Sequence, residues 1–440
     1  MDKFRIVGGT PLSGEIPVSG SKNAALPALA ACLLTDEPVV LRRIPRVKDI
    51  STMQSLLEYS GAKVTVGDSK VYDGKIAVHA KHLDRPEAPY DVVKTMRASS
   101  LVLGPLVART GRARVSMPGG CAIGARPINM HVSALEQLGA TIVQTHGYVE
   151  AQAPDGLRGG NIQFDRITVT GTEDVLMAAV LARGQTLIRN AAREPEVKDL
   201  AELLNKMGAK IEGAGTSLIK VQGVEKLHGA EHAIIPDRIE AGTFVLAAAI
   251  SRGDVIISGC NTEHIAALTV KMQRAGAEVD ESQPGALRVR CLARPKAIDM
   301  TTEEFPGFAT DLQAQYMAWM SVAHGISFIT ETIFENRFMH TQELARMGAN
   351  IRVEGRQAIV AGEDRLMGAQ VIASDLRASA SLVLAALVAH GETTIDRVYH
   401  MDRGYERIEE KLAAAGANIQ RVKDSNVAQN VAAEAAEVEA

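Results

Sequence analysis

A short phrase recurs six times along the chain: the end of a helix, then Gly-Ala, then a strand. It falls at Gly61-Ala62, Gly139-Ala140, Gly208-Ala209, Gly276-Ala277, Gly348-Ala349 and Gly416-Ala417. Glycine ends a helix in the left-handed conformation without steric cost, and the β-branched residues that follow favour a strand. Roughly two dozen residues before each phrase comes an Ala/Leu-rich helix, a polar turn and another strand, the turns being Asp36, Gly111, Gly184, Gly253, Gly325 and Gly391. The pattern predicts repeats of about 70 residues, each running strand, helix, strand, helix, strands.

With 440 residues, six such units exceed one ordinary core and call for two domains. Hydrophobic residues make up 46% of the chain and aromatic ones only 4%, which fits helices packed on sheets and argues against an aromatic-lined nucleic-acid surface. The net charge of −4 is matched by Asp424, Glu434, Glu437 and Glu439 in a final stretch without Lys or Arg. Any basic site is therefore local, and residues 422–440 are expected to form a flexible acidic tail. The N-terminus is not a signal peptide, and the longest nearly apolar run, 378–389, is too short to span a bilayer, so no membrane role is expected. Cys32, Cys121, Cys260 and Cys291 lie far apart with no CxxC pair, consistent with a reducing cytoplasm and with neither zinc nor disulfides. His79 and His82 have no third ligand nearby and are expected to be solvated.

Fourteen residues before each turn, near the start of the first helix, stand Lys22, Arg97, Thr170, Ile239, Asp311 and Arg377. Twelve residues after it, near the start of the second helix, stand Lys48, Glu196, Ile265, Arg337 and Arg403, with Arg126 three places late in the second repeat. Free N–H groups and the positive dipole end make such positions suited to anions when a cation joins them. One lone Arg there is ordinarily solvated or paired with a carboxylate; recurrence at equivalent positions of several repeats favours a polyanion site.

The late Arg126 marks an insertion, Ser116-Met117-Pro118-Gly119-Gly120-Cys121-Ala122-Ile123-Gly124-Ala125-Arg126-Pro127. Its glycines and prolines predict a mobile loop that displays a thiol beside an Arg, the setting of reactive cysteines. Cys32 lies on a predicted helix, and Cys260 and Cys291 flank strands, so all three read as buried.

Over residues 1 to 421 the chain resembles the UDP-N-acetylglucosamine 1-carboxyvinyltransferases of the EPSP synthase-like superfamily. The matching stretches in the first half are Ser19-Gly20-Ser21-Lys22-Asn23-Ala24, Met96-Arg97-Ala98-Ser99, the 118–127 loop and Ala192-Arg193-Glu194-Pro195-Glu196. In the second they are Pro236-Asp237-Arg238-Ile239-Glu240, Thr310-Asp311-Leu312-Gln313-Ala314-Gln315, Phe334-Glu335-Asn336-Arg337-Phe338, Asp375-Leu376-Arg377-Ala378-Ser379 and Asp402-Arg403-Gly404-Tyr405-Glu406-Arg407. The resemblance implies an inside-out α/β barrel of six repeats arranged as two three-repeat domains. One would span 22–234 and bear the Cys loop; the other would combine 1–21 with 235–421, the two chain crossings forming a hinge.

The implied reaction moves the enolpyruvyl group of phosphoenolpyruvate to the 3-hydroxyl of UDP-N-acetylglucosamine and releases phosphate, without cofactor or metal. Phosphoenolpyruvate carries roughly three negative charges and needs guanidinium or ammonium partners. By resemblance, Lys22, Arg126 and Arg403 hold its phosphate, Arg337 and Arg377 its carboxylate, and Asn23 helps place it. Asp311 is the implied base toward the sugar hydroxyl. Cys121 is the implied acid toward the enol methylene, and its thiolate could also attack the enol ether. The nucleotide sugar is expected along Arg97, Arg126, Pro127, Ile128, Asn129, Met130, Arg166, Ile167, Thr168, Val169, Asp311 and Ile333. Asn129 stands where the family usually has Asp, and Arg166 where it usually has Lys.

Two rivals share these features. The shikimate-pathway enolpyruvyl transferase has the same fold and many of the cations but lacks a Pro-Gly-Gly-Cys loop. A non-catalytic paralogue would bind the sugar nucleotide, yet it need not retain Cys121, Asp311 and Lys22 together. Gly20-Ser21-Lys22-Asn23 lacks the Gly-Lys-Ser/Thr ending of a P-loop.

Overall fold

The computed structural model describes residues 2–67, 74–94, 96–117 and 128–423. Among these, residues 19–237 form one compact unit, and 2–18 with 238–423 form the other. The 118–127 loop and residues 424–440 lie outside the described residues; the expected tail begins two residues too early, because Val422 and Lys423 end the strand Asn418–Lys423 and pair with Lys3 and Asp2.

Each unit holds three four-stranded sheets of one design. In the stretch 161–222, Asn161–Gln163 runs parallel to Gln185–Arg189, which pairs antiparallel with Leu218–Gln222, itself antiparallel to Lys210–Glu212. Helices Val169–Ala179 and Pro195–Lys206 connect these strands in the order strand, helix, strand, helix, hairpin, as the repeat pattern predicts. All six glycines of the Gly-Ala phrases adopt positive φ, between 91° and 110°, so each closes a helix in the region other residues avoid. Gly253 serves differently: a Cβ there would lie 2.3 Å from the Leu12 carbonyl oxygen, where two chain segments approach closely.

Each unit closes on itself by borrowing strands. Val39–Ile44 takes its parallel neighbour from Glu231–Ala233, near the far end of its own unit. In the other unit Asp2–Val7 lies between Glu392–Asp396 and Asn418–Lys423, antiparallel to both, and Ser13–Pro17 runs parallel to Asp254–Ser258. The N-terminal strands thus complete sheets of the C-terminal half.

Within each unit the first helices of the repeats are inside, whereas the sheets lie outside and second helices such as Lys48–Tyr59 and Ala266–Ala275 keep an exposed face. Every residue of Gln313–Met320 and nearly every residue of Arg238–Ile250 and Leu376–Val388 is buried, whereas strands such as Asp254–Ser258 alternate between buried and partly exposed positions. That explains the sequence: helices buried on all sides are rich in Ala and Leu, and strands with one covered face alternate. Small residues let these helices approach closely. Gly104, on Leu103–Thr110, receives Asp174 of Val169–Ala179 so tightly that a Cβ would meet the Asp174 carbonyl oxygen at 2.4 Å.

Polar side chains tie the central helices together as well. In the C-terminal unit Gln315 donates through Nε2 to Thr243 Oγ1 at 3.2 Å and to the Tyr405 hydroxyl at 3.1 Å, and Thr243 and Tyr405 bond each other at 2.9 Å. All three are buried, so these bonds hold where water cannot compete.

Candidate active site

The positions singled out before each turn lie in the first turn of a helix or at its entry. Lys22 opens Lys22–Ala31, Arg97 opens the 3-10 turn Arg97–Val102, Thr170 and Ile239 are second residues, Asp311 lies in the 3-10 turn Thr310–Leu312, and Arg377 is second in Leu376–Val388. The second set is less uniform. Lys48 opens Lys48–Tyr59 and Glu196 is second in Pro195–Lys206, but Arg337 sits in a turn before His340–Arg346 and Arg403 ends the 3-10 turn Val398–Arg403.

In the C-terminal unit three predicted residues meet. Arg337 Nη2 donates to Asp311 Oδ1 at 2.7 Å, and Arg377 reaches Asp311 Oδ2 through Nη2 at 3.1 Å and Nε at 3.2 Å. The guanidinium-bearing side chains are only 6% and 5% exposed, against 28% for Asp311. Two buried cations thus present one carboxylate outward. Their burial is supported from behind: the Tyr405 ring lies 5.4 Å from the Arg377 guanidinium carbon, and the Phe334 ring 5.2 Å from that of Arg337. Asp375 caps the Arg377 helix, accepting from the Arg377 and Ala378 amides at 2.9 and 3.0 Å. Ile333 and Arg403, both half-buried, belong to this unit.

His340 packs behind this cluster, fully buried. Its pKa is pushed down to about 4 by burial, with Asp375 opposing and Arg337 assisting, so it is neutral at physiological pH.

In the other unit Lys22 is buried and its Nζ donates to Asp49 Oδ2 at 3.1 Å. Ser21 caps this helix through Ala24 N at 3.3 Å, and Asp237 Oδ2 accepts from the Lys22 amide at the same distance. Asn23 follows, half-buried.

His131 joins two further parts of the predicted sugar-nucleotide set. It lies on Asn129–Gln137 and its Nε2 bonds Thr170 Oγ1 at 3.2 Å, on the helix that Thr168 caps through Gly171 N. Burial, aided by the Arg97 guanidinium, pushes its pKa down to about 4. Arg97, the 128–131 turn and the 168–170 helix start therefore share one neighbourhood. There Ile128 is buried, Met130, Ile167, Thr168 and Val169 are half-buried, and Asn129 and Arg166 are exposed. Cys121, Arg126 and Pro127 lie outside the described residues.

A carboxyl cluster underlies this unit. Burial pushes Glu173 well above the usual carboxylate range, reinforced by Glu196, Glu194 and Asp174, and burial pushes Asp174 up to about 8 against the Gly104 amide bond. Asp174 therefore favours its protonated form at neutral pH, and burial beside three other carboxyls biases Glu173 in the same direction. The other three cysteines are buried, as read from the sequence, and burial raises the thiol pKa of Cys32 and Cys291. His79 departs from expectation: it is half-buried, with Nε2 bonded to the Asp36 carbonyl at 3.0 Å. Among the described residues no group of three or more His, Cys, Asp or Glu is placed to hold a metal, and no helix is long and apolar enough to cross a membrane.

Asp49, His131, Thr310 and Glu331 also belong to these clusters, although the sequence does not single them out. Asp49 carries only the signal of its place beside Lys48 at a helix start; the others make contacts that only the folded chain brings together.

The architecture is that of enolpyruvyl transferases. It is similar to the crystal structure of the enolpyruvyl transferase NikO from Streptomyces tendae, with 26% identity and a TM-score of 0.84 over 96% of this chain and 99% of that one. It also resembles the EPSP synthase structure from Acinetobacter baumannii, at a TM-score of 0.73 over 96% and 100% of the two chains; at 18% identity that likeness bears on fold alone. Residues 6–412 match the family described as EPSP synthase (3-phosphoshikimate 1-carboxyvinyltransferase). The UDP-N-acetylglucosamine 1-carboxyvinyltransferase of Solibacter usitatus (strain Ellin6076) is 68% identical over 96% of this chain and 100% of its own length. That of Koribacter versatilis (strain Ellin345) is 61% identical over 96% and 97%. The chain belongs to the EPSP synthase family and, within it, to the UDP-N-acetylglucosamine 1-carboxyvinyltransferases.

Proposed function

We propose that this enzyme transfers the enolpyruvyl group of phosphoenolpyruvate to the 3-hydroxyl of UDP-N-acetylglucosamine and releases phosphate, the first committed step of peptidoglycan synthesis. The observation that carries the reading is the carboxylate of Asp311 held by the buried Arg337 and Arg377. Two forked donors fixed on one carboxylate suit the carboxylate of phosphoenolpyruvate equally well.

Lys22, Arg126 and Arg403 neutralise the phosphate and Asn23 helps orient it. Asp311 takes the proton of the 3-hydroxyl as its oxygen bonds to C2 of the enol, and Cys121 delivers a proton to the methylene carbon. Departure of phosphate with loss of a methyl proton then leaves the enol ether. Arg97, Arg126 to Met130, Arg166 to Val169 and Ile333 carry the sugar nucleotide. The enzyme acts in the cytoplasm, and its product feeds the wall polymer on which cell shape and division depend.

Shikimate 3-phosphate is the rival acceptor. Phosphate release from phosphoenolpyruvate, measured with each acceptor, decides between them. Release with UDP-N-acetylglucosamine alone supports the proposal; release with shikimate 3-phosphate alone overturns it.

A further inference from the structure

Glu331 follows the strand Ile326–Thr330 and is wholly buried, yet its carboxylate accepts from four donors. Oε1 takes Thr302 Oγ1 at 3.0 Å, the Ile333 amide at 2.9 Å and the Phe334 amide at 3.1 Å; Oε2 takes Thr310 Oγ1 at 2.8 Å. A buried carboxylate that lost these donors would be strongly destabilised, so all four are held firmly in place.

The Thr310 bond reaches furthest. A hydroxyl has one hydrogen, and here it is directed at Glu331, which leaves the Thr310 lone pairs to accept from Arg337 Nη1 at 3.1 Å. The same guanidinium then offers Nη2 to Asp311 Oδ1, and Asp311 is the next residue after Thr310. One buried acid therefore sets the polarity of the hydroxyl that orients Arg337, and the position of the turn that carries Asp311. It also clamps the amide of Ile333, a residue in the proposed sugar-nucleotide set.

From this relay we infer that Glu331 is a positioning residue for the reaction, acting through Thr310 on Arg337 and Asp311. The inference rests on the function proposed above. It touches no reacting atom. Its work is to keep one guanidinium donor pointed at the carboxylate site and the base beside it.

Glu331→Gln keeps the volume and one carbonyl oxygen but sets an NH2 group against Thr310. The hydroxyl must then accept from that group and turn its hydrogen toward Arg337, donor against donor. Steady-state kinetics of phosphate release with phosphoenolpyruvate and UDP-N-acetylglucosamine should show kcat reduced about tenfold and the KM for phosphoenolpyruvate raised by a similar factor. Loss of folded enzyme alone would lower kcat and leave KM unchanged. Thr310→Val, which breaks the relay while sparing the buried acid, should reproduce both changes, and Thr310→Ser should recover most of the activity. In the double variant, Glu331→Gln with Thr310→Val, the losses should not multiply, because both cut one chain of bonds. Multiplied losses, or an unchanged KM in Thr310→Val, overturn the inference. Failure of the unaltered enzyme to release phosphate would instead count against the proposed function.

Discussion

Arg337 Nη2 and Asp311 Oδ1 lie 2.7 Å apart, so the proposed base is already paired with a proposed substrate-binding cation. Arg377 holds the second oxygen of the same carboxylate. The pairing explains how two buried guanidiniums are tolerated without substrate, since an unpaired charge would be costly there. It also means that anything altering Asp311 alters the anion site, and the two effects separate only when turnover and KM are measured independently.

Asp311→Asn retains the shape and one acceptor oxygen but loses the basicity. Turnover should fall by roughly 10² or more with UDP-N-acetylglucosamine binding retained. The check is kcat in a phosphate-release assay beside direct titration of the sugar nucleotide. A variant with near-normal kcat would move the base elsewhere. Asp375 is a poor substitute, because its Oδ1 is engaged in capping the Arg377 helix.

Arg377→Lys keeps the charge but replaces a planar fork with a point donor. The KM for phosphoenolpyruvate should rise about tenfold or more, well beyond any change in the KM for UDP-N-acetylglucosamine. Equal changes in both constants would remove Arg377 from the carboxylate site.

Burial raises the Asp174 pKa from the ordinary 3.8 to about 8. A carboxyl whose folded-state pKa is raised binds its proton more tightly when folded, so its stabilising contribution is complete at low pH. That contribution declines as pH rises from about 4 and is lost by about 8. Urea unfolding should show the wild type losing stability between pH 6 and 8, and Asp174→Asn, which cannot ionise, losing less. Equal losses in the two proteins would show that Asp174 does not titrate in this window.

Three cysteines are buried, and the thiols of Cys32 and Cys291 are disfavoured as thiolates. A phosphonate epoxide mimicking phosphoenolpyruvate should therefore modify Cys121 alone, and faster with UDP-N-acetylglucosamine present. Peptide mass mapping reads the site directly. An adduct on Cys32, Cys260 or Cys291, or undiminished labelling of Cys121→Asp, would contradict the assignment.

The six-fold repeat was legible in the sequence because it depends on local rules: a left-handed glycine after each helix and β-branched residues in each strand. The helix-start positions were legible for the same reason, down to Lys22, Asp311 and Arg377 in first turns. Arg337 and Arg403 fell outside that register because turns, not helices, carry them. The pairing of Asp311 with both arginines was not legible, since it joins three different segments through tertiary packing. Glu331 was invisible too: nothing in its neighbours reveals that Thr302 and Thr310 will converge on it. The half-burial of His79 is not legible either, because its partner is the backbone carbonyl of Asp36, 43 residues away along the chain.

The most direct test of the proposed reaction is identification of the product by nuclear magnetic resonance. The purified enzyme is incubated with phosphoenolpyruvate and UDP-N-acetylglucosamine, and the new species is examined alongside released phosphate. The expected product is a vinyl ether whose methylene protons belong to an enolpyruvyl group on oxygen 3 of the N-acetylglucosamine ring, with one phosphate released per ether formed. Phosphate release without that ether, or an enolpyruvyl group at any other oxygen, would contradict it.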